Sequence, residues 1–396
     1  MELLPPHKLK LDEGVSLSIA STMEEIEALR PFWEKWQNHP NVDIDYYKRT
    51  VEIKRETCQP CVIVLSINTD PVAMLVGRIE NVPLVVKLGY LKILTIKQVA
   101  LTVIYGGAIG DFSEKNCESM LQGVFWLLKE KRFEIFLCHY LGCDTPFFKI
   151  LKTKPRYLCR DHALTPNIHW RMNLPDSFET ITSKLKRKHK YWLRRLAGKL
   201  ETAAEGDVDF RCIDKIDNMD LICGALESIA KNTYHRGLGV GFIDNDEYRN
   251  RLSFLSEQGR LIIYILYVRK KPAAYWLATR YQETIYLNTT GYDPEFEQFE
   301  VGTYVFMKML EDLCTKKIAK QVDFGLGDAF YKQRFGDNFW HESSVSVYPV
   351  SVKGITTKLL LVLSRKVSSA IVCISEKSKI KDKLKKIWRK KAKTLS

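Results

Sequence analysis

The chain has 396 residues, enough for two or three domains that each bury a core, so a peptide-sized module is excluded. Hydrophobic residues make up 45% and charged residues 27%, with only 21 Gly and 14 Pro, which excludes disordered, collagenous and low-complexity classes. The formal charge is +14, and residues 376–396 supply +8 of it, ten cations against Glu376 and Asp382. A surplus so localised points to an anionic surface, such as the inner face of a membrane, met by the C-terminus rather than to a fold wrapped around nucleic acid.

Ten cysteines lie scattered among apolar runs, which predicts reduced, buried thiols and a cytosolic compartment. The opening MELLPPHKLKLDEG shows no secretory pattern. The longest apolar stretches, Pro83–Ile104 and Leu359–Val372, are interrupted by Lys87, Lys92 and Lys97 or by Arg365 and Lys366, so no membrane span is expected.

In chain order, Ile26, Leu29, Trp33 and Trp36 recur at helical spacing and predict a helix over Met23–Gln37 that Pro31 kinks. Cys61–Ile67 and Val72–Ile79 read as strands joined by a turn at Asn68–Pro71. Val99–Tyr105 reads as a strand ending in a glycine-rich run, followed by a helix over Glu114–Lys131 and a buried strand at Phe133–Cys138. The second half repeats the order. Helices are expected at Phe178–Glu201, Met219–Asn232 and Asp246–Glu257, then strands at Leu261–Val268, Ala273–Tyr281 and Thr284–Thr290, a helix near Val301–Lys317 and a strand at Gln321–Phe324. The ends of the halves overlay: Leu141-Gly142-Cys143-Asp144 with Phe148-Lys149, against Leu326-Gly327-Asp328 with Tyr331-Lys332. This is a weak internal duplication, with a boundary near Asn173–Pro175. The class is α/β with a mixed sheet.

The run Gly291-Tyr292-Asp293-Pro294-Glu295, then Val301-Gly302-Thr303 opening a helix, then Asp323-Phe324-Gly325-Leu326-Gly327-Asp328-Ala329-Phe330-Tyr331-Lys332, resembles the GNAT acyltransferase-like domain of CelD/BcsL-type proteins, relatives of the FemX-type aminoacyltransferases. The resemblance implies two tandem GNAT-like domains: a degenerate one over 1–174, a second over 175–350, and a C-terminal extension over 351–396. It implies acyl transfer, most simply of acetyl from acyl-CoA, to an amine or hydroxyl of a small-molecule, sugar or polysaccharide acceptor. It also suggests, as an alternative, the use of aminoacyl-tRNA. A GNAT phosphate loop reads Gln/Arg-x-x-Gly-x-Gly/Ala; here Gln298–Thr303 carries one glycine and sets Glu300 beside the expected diphosphate. That departure motivates a third reading, an inactive binding module docked on a membrane through its tail.

A helix N-terminus binds a diphosphate if no side chain covers its N–H groups, which gives Val301, Gly302 and Thr303 as donor-binding candidates, against the bland role of Gly302 as a loop-to-helix joint. Leu287, Asn288 and Thr289 lie where a GNAT strand offers an N–H to the thioester carbonyl, against simple packing. Asp328 and Lys332, four apart after a buried strand, would share a face if helical. There Asp328 would orient or deprotonate the acceptor, Lys332 neutralise developing negative charge and Tyr331 donate a proton; a helix cap and a surface lysine are the alternative. His235 beside Arg236 is a further acid/base candidate. Arg187, Lys188 and Trp192 on the basic run Lys184–Arg195, together with Arg236, are candidates for phosphate, anionic acceptor or tRNA binding, against a solvated helix face. Cys58-x-x-Cys61 lacks a second ligand pair, so no metal is expected.

Overall fold

The computed structural model describes residues 8–89, 91–233, 236 and 241–377. The tail segment 378–396 and His235 lie outside them. Contacts divide the described chain into two units, one of residues up to 168 with those from 340 onward and one formed by 169–339.

The first unit begins with β1 (Lys8–Asp12) and β2 (Val15–Ala20), followed by helices α1 (Met23–Ala28), α2 (Arg30–Trp36) and α3 (Ile44–Ile53). The single helix expected over Met23–Gln37 is two. Leu29 ends one and begins the next, so Pro31 falls in the first turn of α2, where its missing N–H costs nothing. Thr22 and Glu25 form a reciprocal capping box at the start of α1. Strands β3 (Cys58–Ile67), β4 (Asp70–Leu88) and β5 (Leu91–Gly110) follow, then α4 (Glu114–Lys129), β6 (Ile135–Gly142) and α5 (Pro146–Thr153). The β3–β4 turn is as expected, with Asn68 and Thr69 both at positive φ. The apolar run Pro83–Ile104 spans both arms of a long hairpin, β4 pairing antiparallel with β5 from Ala73↔Gly110 to Leu88↔Leu91.

The second unit holds β7 (Asn167–Asn173), α6 (Phe178–Ser183), α7 (Arg187–Ala203), β8 (Val208–Ile213), α8 (Met219–Ala230), α9 (Asp246–Glu257), β9 (Leu261–Val268), β10 (Lys271–Tyr281), β11 (Thr284–Tyr292), α10 (Val301–Lys316), β12 (Gln321–Leu326) and α11 (Phe330–Phe335). The helix expected over Phe178–Glu201 breaks at 184–186. Thr182 and Ser183 turn their hydroxyls onto the carbonyls of Glu179 and Thr180, which competes with helix continuation. The chain closes with β13 (Asn338–Val347) and α12 (Val352–Lys377).

The duplication is visible in topology. In the first unit the strand order is β1-β2-β3-β4-β5-β6-β13, which beyond the extra edge strand β1 matches the second unit's β8-β9-β10-β11-β12-β7. In each, four antiparallel strands meet a parallel one, β5 with β6 and β11 with β12, and the last strand returns antiparallel. This corrects the domain boundaries of 174 and 350. Strand β7 precedes residue 174 yet pairs with β12, whereas β13 precedes residue 350 yet pairs with β6, and α12 packs on β4 rather than forming an extension.

Helices α6, α7, α10 and α11 cover one face of the second unit's sheet over a core that includes Leu185, Leu200, Tyr264, Trp276, Val305, Met309 and Phe324. Helices α8 and α9 lie on β10, β11 and β9 from the opposite face. Among the described residues no helix is long and apolar enough to cross a membrane.

Candidate functional site

Part of the chemistry expected from the sequence, Leu287–Thr289, Val301–Thr303, Tyr331 and Lys332, lies about one end of β11 and β12. These strands pair through Thr284↔Gln321, Ile285↔Val322 and Tyr286↔Asp323, and from Leu287 onward β11 has no paired residue on β12. They splay. On its other edge β11 keeps pairing with β10, but the register slips between Leu277↔Thr289 and Ala278↔Leu287, leaving Asn288 as a bulge. Thr279 Oγ1 donates to Asn288 Oδ1 at 2.8 Å and steadies the bulge. The Leu287 side chain packs in the core, so only its backbone faces the opening.

Helix α10 begins a few residues beyond β11. Glu300 precedes it in the left-handed region at φ 49°, no side chain caps it and no acidic residue stands in its first turn. Glu300 is exposed, so it does not plug the amino end. A Cβ on Gly302 would meet only Tyr292 Cδ1 at 3.6 Å, so the backbone there is accessible and against the end of β11. Thr303 is half-buried and its N–H already goes to the Glu300 carbonyl; Val301 is fully buried and can act only through its N–H. A half-buried first turn with no side-chain cap, open at Gly302, and the positive end of the helix dipole suit a phosphate. In the first unit the matching end of α4 is different: Asp111 accepts from Ser113 N–H and from Asn116, and Glu114 stands in the first turn. That end repels an anion.

Lys332 is 7% exposed, and its Nζ donates to the Leu326 carbonyl at 2.6 Å and to the Gly325 carbonyl at 3.2 Å, at the end of β12. Burial lowers its amine to about 8, against the raising influence of Asp323. Asp328 does not share its face. Helix α11 starts after Ala329, so Asp328 lies before it, exposed, accepting from Gln333 Nε2 at 2.8 Å and Trp170 Nε1 at 3.2 Å. Nor does Asp328 cap the helix. Tyr331 sits edge-on to Phe306 at 5.3 Å, Phe324 at 5.9 Å and Trp276 at 6.0 Å, and burial pushes its hydroxyl well above the usual tyrosine range, so it stays protonated. Beside it the buried Trp276 Nε1 finds no acceptor among the described residues.

Sequence reasoning missed the group on β7 that holds β12. Buried His169 meets Asp323 Oδ1 through Nε2 at 2.7 Å, Arg171 reaches Asp323 Oδ2 at 3.0 Å, and the Gly325 N–H donates to Asp323 Oδ1 at 2.9 Å. Burial alone would raise the Asp323 carboxyl; His169, Arg171 and the Gly325 N–H outweigh it and hold it below the ordinary carboxylate value. The signal available was a polar alternation, Asn167, His169, Arg171 and Asn173, in a segment that follows Pro166.

The basic candidates separate. Arg187 and Lys188 are exposed on α7, and Trp192 is half-buried with His189 stacked on it at 4.8 Å. His189 in turn meets Arg334 of α11 at 2.7 Å. Arg236 is committed elsewhere: one of its terminal nitrogens donates to both Glu227 carboxylate oxygens at 2.6 Å and to the Phe242 carbonyl at 3.0 Å. That arrangement ties a loop to α8 and leaves little of the charge for a substrate. Cys58 and Cys61 lie buried on β3 as free thiols, and among the described residues no cluster of His, Cys, Asp and Glu suits a metal.

A family model described as an acetyltransferase (GNAT) domain matches residues 187–333, which run from the start of α7 into α11 and include β11, the start of α10 and Lys332. Among solved structures, FemX is similar with a TM-score of 0.51 at 11% identity, over 84% of this chain and 97% of that one. A tandem GNAT protein from the clavulanic acid biosynthesis pathway gives 0.48 at 9%, over 85% and 100%. L-PGS from Bacillus licheniformis gives 0.46 at 11%, over 88% and 98%. A comparison with curated proteins finds no match. The second unit carries a GNAT-type acyltransferase fold, and the first unit repeats its strand topology.

Proposed function

We propose that the chain is an acyl-CoA-dependent acyltransferase of the CelD/BcsL type, moving an acyl group, most simply acetyl, to an amine or hydroxyl of a small-molecule, sugar or polysaccharide acceptor. One observation carries this reading: β11 and β12 part after three residue pairs at the same end where α10 presents an uncapped, unscreened first turn. The diphosphate would sit on the N–H groups of Val301 and Gly302, and the pantetheine arm would lie along the free edge of β11. The thioester carbonyl would take an N–H from the Asn288 bulge as the tetrahedral oxyanion forms. Lys332 would add positive charge there, and the Tyr331 hydroxyl would give its proton to the departing thiolate. Asp328, exposed at the rim, would orient the acceptor and receive its proton. His169 and Asp323 would fix β12, and thereby the backbone that carries Lys332's two acceptors.

Calorimetric titration of the full chain with acetyl-CoA and longer acyl-CoAs tests the donor. Saturable binding that Gly302→Glu weakens is expected; absence of binding at millimolar concentration rejects the reading. A second reading, transfer from aminoacyl-tRNA, is favoured by the exposed Arg187, Lys188, Arg194 and Arg195 of α7. Binding of tRNA that falls steeply with salt, without acyl-CoA binding, would select it.

A further inference from the structure

We infer that the tip of the β4–β5 hairpin, together with the exposed stripe of α12, is a docking surface for an anionic lipid bilayer. Along β4 the core-facing residues Val82, Leu84 and Val86 pack beneath α12, as does Ala100 of β5. Beyond them the hairpin continues and its apolar residues turn outward: Leu88 is 45% exposed, Leu91 39%, Ile93 60% and Leu94 49%. A hairpin tip in water gains nothing from four large aliphatic side chains within seven positions. Exposed Lys87, Lys92 and Lys97 alternate with them, the mixture of apolar and cationic groups that partitions into a headgroup region.

Helix α12 is tied to this tip. Ser364 Oγ accepts from Lys87 N–H and donates to the Lys87 carbonyl, both at 2.8 Å, and Ser368 Oγ accepts from Gly89 N–H at 3.0 Å. Leu359 and Leu363, one turn apart on α12, are 57% and 62% exposed. The sequence that follows α12 carries the densest positive charge of the chain. A second copy of the chain would bring the same lysines against one another, whereas anionic lipid headgroups neutralise them, so charge selects the bilayer as the occupant.

The test is flotation of the full chain with vesicles of phosphatidylcholine alone and of phosphatidylcholine mixed with phosphatidylglycerol. Binding to the mixed vesicles only, weakening as salt rises, is expected. Ile93→Glu and Leu94→Glu sit at exposed positions and should fold normally, yet each should lower partitioning about tenfold or more. A tryptophan at position 93 (Ile93→Trp) should shift its emission to the blue on mixed vesicles. Equal flotation of wild type and Ile93→Glu would overturn the inference, as would binding abolished by deleting 378–396 but untouched by both glutamate variants. Failure to float combined with concentration-dependent self-association that Ile93→Glu removes would assign the surface to a second copy instead.

Discussion

Lys332 donates from Nζ to the carbonyl oxygen of Leu326 at 2.6 Å, placing a buried amine against the backbone at the end of the splayed strand β12. Its lowered value of about 8 against the ordinary 10.5 means that, between those two pH values, the unfolded chain binds more protons than the folded one. Stability therefore rises as pH climbs from about 8 toward 10.5. Lys332→Met removes this slope, which denaturant midpoints measured across that range will show. The same variant should lower kcat roughly 10²-fold if the amine faces developing negative charge. A wild-type slope retained in the variant would mean that another group titrates.

At the amino end of α10, shape and charge can be separated. Gly302→Ala adds a Cβ in ordinary contact with Tyr292 and should stabilise the helix by about 0.5 kcal/mol without loss of donor affinity. Gly302→Glu keeps the helix but covers the N–H groups and sets a carboxylate where the diphosphate goes. The Michaelis constant for acyl-CoA should rise at least about tenfold with little change in melting temperature. Equal donor affinity in both variants would place the diphosphate elsewhere.

Tyr331→Phe keeps the edge-on packing with Phe306, Phe324 and Trp276 and removes only the hydroxyl. A proton donor to the thiolate predicts a fall in kcat of roughly 10²-fold with the Michaelis constants nearly unchanged. Asp328→Asn, by contrast, should act through the acceptor, raising its Michaelis constant or abolishing turnover while donor binding stays intact. A Tyr331→Phe enzyme with full turnover would show the hydroxyl to be a spectator.

Local pattern revealed what local physics decides. Asp246–Glu257 and Leu261–Val268 have the same limits in sequence and structure, because Asn245 caps the helix and the strand is apolar throughout. Gly302, Tyr331 and Lys332 stand out in the sequence through a family resemblance, not through periodicity. Pairing was not legible. Nothing in Asn167–Asn173 says that it will lie beside β12, since the His169–Asp323 contact spans 154 residues. Nor does β13, with Glu342, Ser343, Ser344 and Ser346 in the middle of it, read as a strand buried beside β6. The Asp328–Lys332 spacing misled because it assumed a helix already under way at Asp328, whereas the first turn starts two residues later.

Asp323 offers the sharpest stability test, because its carboxylate collects the His169 ring, the Arg171 guanidinium and the Gly325 N–H at one buried point. Asp323→Asn keeps the shape but removes the charge that these three groups face. Removing one partner of a buried charged cluster costs about 3 kcal/mol. A carboxyl held below its ordinary 3.8 contributes stability that is fully present above that pH and is lost as pH falls through the lower folded-state value. The gap between wild type and Asp323→Asn should then be constant near neutrality and should close on acidification below about pH 4. His169→Gln should reproduce part of the neutral-pH loss and should also lower kcat, since β12 carries the carbonyls that hold Lys332. Acid unfolding curves that stay parallel down to about pH 2 would show that folding does not shift the Asp323 carboxyl, and that β12 is held by packing rather than by charge.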